Sequence, residues 1–151
     1  MSQPAAVQLA PHYYRDNVQS LCDTVQGRYS DLLTQPELDL LACWRRLSFP
    51  AQCLFVRLVS RVGPWFRESR LDYPEIGPLA APLDELLEQG LAALAEGLDA
   101  EALGRLFPLP ELRRAFGALL PAEQKGGKTA LLAAINDPDL GDSELLAHAA
   151  I

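Results

Sequence analysis

The apolar residues of this chain recur at helical spacing in short segments, and proline or glycine cuts off most of them. From Tyr13 to Leu33 they fall at positions 14, 18, 21, 25, 29, 32 and 33. That spacing predicts an amphipathic helix with one side turned to a core. In "TQPELDLLACWRRL", Thr34 stands ahead of a second helix with 38, 41, 44 and 47 on one side. After "SFP", residues 51–62 put Leu54, Phe55, Leu58, Val59 and Val62 on one stripe, with Arg57 and Arg61 opposite. Gly63–Pro64 must end that helix. Residues 65–71 alternate as a short strand anchored by Phe66 and Leu71, and "GLAAL" is short enough to be a strand pairing back on it. Between them a helix is expected around Leu79–Gln89, with Gly90 in the C-cap role.

Beyond Asp99 the segments shorten. "LDAEALGRLF" and "LPELRRAFGALL" read as two helices, Pro110 lying in the first turn of the second. A polar loop, "PAEQKGGK", leads into "TALLAAI". The expected fold is mainly α. It comprises an N-terminal helical segment (1–49), a winged-helix-like subdomain with a short β-hairpin (50–98), a compact helical unit (99–136) and a tail (137–151). At 151 residues this is one domain or two small subdomains.

Charge is the second constraint. The formal net charge is -7, yet Arg45 to Arg70 holds six arginines against one acid, Glu68. Residues 71–104 hold eight acids and no base, and 105–128 swing back to five bases against two acids. Arginine is a planar, bidentate donor suited to phosphate oxygens. Arg57 and Arg61, four apart on one face, repel each other modestly unless something anionic or acidic meets them. Two readings stand level: a phosphate-binding face, or an ordinary surface whose arginines pair with the acids of 72–101. Trp65 and Tyr73, flanking Arg67 and Arg70, could stack on bases, although aromatic residues more often pack in a core.

Other motifs carry less. "KGGKT", 125–129, looks like the end of a phosphate-binding P-loop, but Ala122 occupies the position of its first glycine and no strand precedes it. A lysine-bearing glycine turn at a helix start still suits a phosphate. "NDPDLGDSE", 136–144, groups carboxylates, but Gly141 interrupts a calcium-loop pattern and no lysine follows Lys128, so helix capping by Asp142 or Ser143 explains it better. His12 and His148 have no catalytic partners nearby in sequence. Cysteines 22, 43 and 53 lack metal-ligand spacing and read as reduced thiols. No apolar run approaches membrane-spanning length, and the N-terminus has no basic leader, so a cytoplasmic protein is expected.

Three stretches, "HYYRDNVQSLCDTVQGRYSDLL", "AQCLFVRLVSRVGPWFRESRLDYPEI" and "LDELLEQG", resemble the N-terminal region of bacterial Fanconi-associated nucleases. Within them, "VRLVSRVGPWFRESRLDYPEI" is similar to that family's Tyr-Val-Arg-Leu…Arg…Trp…Leu-x-Tyr-x-Glu-Ile pattern. "LPELRRAFGALLPAEQKGGKTALLAAI" resembles the family's SAP-type DNA-binding unit, which would occupy 99–136. The resemblance covers most of residues 12–136. It implies a DNA-repair nuclease that cuts 5′ flaps and unhooks cross-links with Mg²⁺ or Mn²⁺ in a C-terminal VRR-NUC domain. The Pro-Asp…Glu-x-Lys signature of that domain has no match here, and the chain ends inside an expected helix, which suggests a truncated protein.

The expectation for this chain is therefore a non-catalytic region with no cofactor of its own. It would grip double-stranded or flap DNA through its phosphates, in a cytoplasmic, nucleoid-associated protein. The residues expected to do so are Arg57, Arg61, Arg67 and Arg70 in one patch, and Arg113, Arg114, Lys125 and Lys128 in another. The two patches are expected to be exposed on one side of the chain. The alternative is a protein–protein interaction or self-association module, with the acidic stretch 72–101 as its partner surface.

Overall fold

The computed structural model describes residues 9–117 and 126–136. These form two compact units, one from 9–63 and 71–94, the other from 64–70 with the described residues after 94. Among the described residues there are seven α-helices and one 3₁₀ turn, and no strand.

The first unit holds α1 (Tyr13–Tyr29), α2 (Gln35–Arg46), α3 (Phe49–Val59) and α4 (Ala80–Glu88). Helix α2 starts where Thr34 predicts it. The Glu37 carboxylate accepts hydrogen bonds from both the Thr34 N–H and its hydroxyl, each at 2.7 Å. These bonds satisfy a donor that a helix start leaves open. They also hold the Glu37 carboxyl below its usual range.

Helix α3 is the axis of the unit, packed against α1 and α4. Ala51 and Leu54 are fully buried in a core shared with Trp44, Leu47, Val56 and Leu86. Burying one such leucine is worth about 1.5–3 kcal/mol. Ser48 caps α3 through its hydroxyl, and Glu85 of α4 accepts from the Ser48 N–H at 2.7 Å, so one carboxylate ties the start of α3 to α4. Both polar atoms of the buried Gln52 side chain are partnered: its amide N–H donates to the Trp44 carbonyl at 2.8 Å and its oxygen accepts from Arg15 Nε at 2.7 Å.

The expected stripe of α3 holds for Leu54, Phe55 and Leu58 and fails beyond them. The helix ends at Val59, four residues before Gly63. Val59 and Val62 are exposed, Val62 completely. Arg61 consequently lies past the helix, not on its face.

The hairpin of the winged-helix reading is absent from the described residues. Residues 65–71 carry only a 3₁₀ turn, Glu68–Arg70, and 91–94 form no ladder with them. The alternation that suggested strands has another cause. Residues 64–70 belong to the second unit, where Trp65, Phe66 and Arg67 line a cavity instead of a sheet face. Gly90, at φ +68°, does serve as the stop after α4, a backbone conformation that favours glycine.

The second unit holds α5 (Ala100–Leu106), α6 (Leu109–Phe116) and α7 (Lys128–Ile135). The Asp99 side chain caps α5 by accepting from the Ala102 N–H at 2.7 Å. Leu103, Phe107, Leu112, Phe116 and Leu131 form its core, and α7 packs on both α5 and α6. Gly104 allows the close approach: a Cβ there would lie 2.6 Å from Leu132 Cδ1. The capping role expected of Asp142 and Ser143 falls outside the described residues.

Candidate nucleic-acid interface

The arginine-rich stretch 45–70 is divided between the two units. Arg57 and Arg61 stand in the first; Arg67 and Arg70 stand in the second, with the later basic residues.

Arg57 leaves α3 near its C-terminus and enters a cluster with α1 and the 72–77 turn. Its guanidinium donates to Glu75 Oε1 from Nε at 2.9 Å and also from Nη2. It lies 4.1 Å from the ring centre of Tyr14 and 5.6 Å from that of Tyr73, cation–π distances. Tyr14 donates its hydroxyl to the same Glu75 oxygen at 3.1 Å, and His12 Nε2 meets the Glu75 carbonyl at 2.8 Å.

Burial opposes charge on Glu75. Its backbone hydrogen bond, Arg57 and Tyr14 outweigh that and hold the carboxyl below its usual range. Burial likewise pushes the Tyr14 phenol up to about 12, with Arg57 pulling the other way and Glu75 adding to the rise. Arg57 is thus a structural tie, not the open phosphate ligand the sequence suggests. Its side chain is 38% exposed. Arg61 is exposed, with Nη1 donating to the Tyr73 hydroxyl at 3.0 Å.

Arg67 is the second departure. Its side chain is only 15% exposed, 2.7 Å from Glu111 Oε2, with its guanidinium carbon 4.3 Å from the Phe107 ring centre. Arg70 reaches the other oxygen of Glu111 at 3.4 Å but stays 67% exposed. On α6, Arg113 and Arg114 are both exposed. Arg113 donates to the Gly126 carbonyl at 3.0 Å, which brings a guanidinium to the glycine turn that opens α7. Lys128 turns inward: its Nζ donates to the Phe107 carbonyl at 2.8 Å, so it closes the α5–α6 junction. Lys125 lies outside the described residues.

Of the cations predicted to meet phosphate, the exposed ones among the described residues are therefore Arg61 in one unit and Arg70, Arg113 and Arg114 in the other. Arg57, Arg67 and Lys128 are committed to internal acceptors. Such an arrangement can hold phosphates electrostatically without reading base sequence. Among the described residues no three His, Cys, Asp or Glu side chains converge in a way that could hold a metal ion. The carboxylates of 137–144 fall outside the described residues.

The elements so arranged match known proteins. The family model "FAN1, HTH domain" matches residues 12–93, which spans α1 to α4. The chain belongs to the FAN1 HTH-domain family. The Fanconi-associated nuclease 1 homolog of Pseudomonas aeruginosa is 35% identical over 106 residues, 70% of this chain and 19% of that protein. The homolog of Oryza sativa subsp. japonica is 34% identical over 86 residues, 57% of this chain and 9% of that one. A crystal structure of paFAN1 bound to 2-nt 5′-flap DNA with a gap superimposes with a TM-score of 0.76 at 33% identity, over 87% of this chain and 24% of that one. The chain thus spans about a fifth or less of the length of these curated FAN1 relatives, and it is related to their N-terminal region.

Glu75 and Glu111 are the residues that reasoning from the FAN1-like sequence missed. Both decide which arginines stay open, and both lie outside the basic run they neutralise. Glu75 falls within the 72–101 stretch already weighed as a source of partners, so half of this signal was visible. Glu111 sits inside the second basic stretch, two residues before Arg113, and nothing local marks it as the partner of Arg67 and Arg70.

Proposed function

We propose that this chain is a non-catalytic DNA-holding region of a FAN1-type nuclease. Its HTH unit and its second, SAP-type helical unit would grip duplex or flap DNA by the phosphate backbone. The observation that carries this reading is the membership of α1–α4 in the FAN1 HTH family, joined to the likeness of most of the chain to paFAN1 bound to 5′-flap DNA. Arg61, Arg70, Arg113 and Arg114 would make the contacts, and Lys125 would add to those of the second unit. Chemistry would reside elsewhere in the whole protein, with a divalent metal such as Mg²⁺ or Mn²⁺ held there. No helix among the described residues is long and apolar enough to cross a membrane, and a cytoplasmic, nucleoid-associated setting is part of the proposal.

Phosphate contacts displace counterions, so binding must weaken steeply with salt. The test is Arg113→Glu with Arg114→Glu, read by fluorescence anisotropy on 5′-flap DNA across a salt series. The expected result is weaker binding to every sequence and a salt slope reduced by about one per lost contact. Unchanged affinity and slope would overturn the assignment of these arginines.

A further inference from the structure

Two of the six arginines in the run 45–70 are still without a role: Arg45 and Arg46, in the last turn of α2. We propose that they form a further phosphate-binding site of the first unit, an inference that rests on the DNA-holding reading above.

The packing of this unit leaves DNA few places to meet it. In helix-turn-helix proteins the second helix of the pair enters the major groove while the first crosses the backbone. Helices α2 and α3 follow one another with only Leu47 and Ser48 between them, but α3 cannot play the second part. Its middle is buried through Ala51, Gln52, Cys53, Leu54 and Val56, and its exposed residues are Phe49 and Val59 at the two ends. No polar face is left to offer to base edges. Helix α4 turns Asp84 and Glu88 to solvent, and acids there repel a phosphate backbone. The end of α2 does the opposite.

Arg45 and Arg46 are both exposed. Neighbours in sequence on a helix do not face each other, and these two diverge, Arg45 toward Asp23 of α1 and Arg46 toward Gln89 at the end of α4. Neither is spent. Arg45 makes no hydrogen bond among the described residues, and its one carboxylate neighbour, Asp23, stands 4.0 Å away and is 58% exposed. Arg46 donates only from Nε, at 3.4 Å, and to a neutral amide oxygen, so its terminal nitrogens are open among the described residues. The carboxylate of Glu85, which caps the start of α3, is occupied by the N–H and hydroxyl of Ser48. Arg57, by contrast, puts two nitrogens on Glu75. A guanidinium with free terminal donors matches the oxygens of a phosphate, and two that diverge can hold separate phosphates. Cations in the last turn also favour the helix dipole, a role that requires no DNA and that the experiment must separate.

The experiment uses the whole chain and 5′-flap DNA, read by fluorescence anisotropy from about 50 to about 200 mM salt, with urea unfolding alongside. Arg45→Gln with Arg46→Gln should lower the salt slope by about two, so that across this range the parent loses about tenfold more affinity than the variant. Arg45→Lys with Arg46→Lys keeps both charges and should restore the slope. An unchanged slope in the glutamine variant, whatever its urea midpoint, would overturn the proposal and leave the pair to the helix dipole or to an acidic protein surface. Should the double variant fail to fold, Arg46→Gln alone should lower the slope by about one, and a parental slope there sinks the site as well. If Arg113→Glu with Arg114→Glu flattens the slope while the glutamine pair does not, this site falls and the DNA-holding reading survives. If the parent binds no DNA, both fall.

Discussion

The Arg57 surroundings in the first unit and the Arg113–Arg114 pair in the second are alike in sequence and opposite in structure. Each places arginine near the C-terminal end of a short helix of a net-acidic chain. In the first, a carboxylate and two tyrosine rings enclose the guanidinium. In the second, Arg113 spends one hydrogen bond on a backbone carbonyl, and both side chains remain exposed. The difference arises from what the fold brings in from elsewhere. Glu75 arrives from 18 residues away to meet Arg57, whereas Glu111, the acid beside Arg113, is turned toward Arg67 and Arg70. An arginine count along the chain therefore measures potential for anion binding, and the acids that fold onto it decide how much survives.

The sharpest way to break this comparison is to invert charge on both sides of it. Arg57→Glu sets a carboxylate against Glu75 and strips Tyr14 and Tyr73 of their cation. It should cost about 2–3 kcal/mol of folding stability, short of the roughly 3–5 for a fully buried pair because Arg57 is 38% exposed. Arg114→Glu should stay within about 0.5 kcal/mol of the parent. Urea unfolding followed by circular dichroism reads both. Equal losses would mean that the two arginines do the same job.

A smaller effect tests whether the division follows units or partners. Arg67 belongs to the same unit as Arg113 but is engaged by Glu111 and Phe107. Arg67→Gln should cost about 1–2 kcal/mol, resembling Arg57 and not its own unit's surface arginines. It leaves Arg70 as the cation on Glu111, which limits the loss. If Arg67→Gln proved neutral in the same urea series, location in the second unit would matter more than the partner.

The helices themselves were legible, and so were their boundaries where the cause is local. Thr34 and Glu37 cap within three residues of each other, Asp99 caps three residues downstream, and Gly90 stops α4 by its own backbone freedom. The misread elements needed distant information. Phe66 and Leu71 alternate like a strand, but 64–70 is drawn into the second unit's cavity wall. Val62 continues the α3 stripe in sequence, yet the helix has already ended. The site followed the same rule. Arg113 and Arg114 are exposed, while Arg57, Arg67 and Lys128 are satisfied by groups 18, 44 and 21 residues away.

The smallest expected effect concerns pH, and it probes the Tyr14–Arg57–Glu75 cluster from both ends. Glu75 titrates lower in the folded chain than unfolded, so the stability it contributes is present above the usual carboxylate range. That stability is lost as pH falls through the depressed folded value. Tyr14 is raised from 10.0 to about 12, so its contribution is complete below pH 10 and fades as pH rises toward 12. In the folded chain the Tyr14 phenol should therefore titrate near 12 in an ultraviolet absorbance titration. Tyr14→Phe should abolish that step and remove the tyrosine's share of the alkaline loss of stability, while the acid loss persists through Glu75 and Arg57. The exposed Arg113 and Arg114 have no carboxylate or phenol against them among the described residues, so replacing both with glutamine should move neither limb. A cluster in which Tyr14→Phe left the absorbance titration unchanged would have its phenol open to water, and the enclosure that separates Arg57 from the surface arginines would not exist.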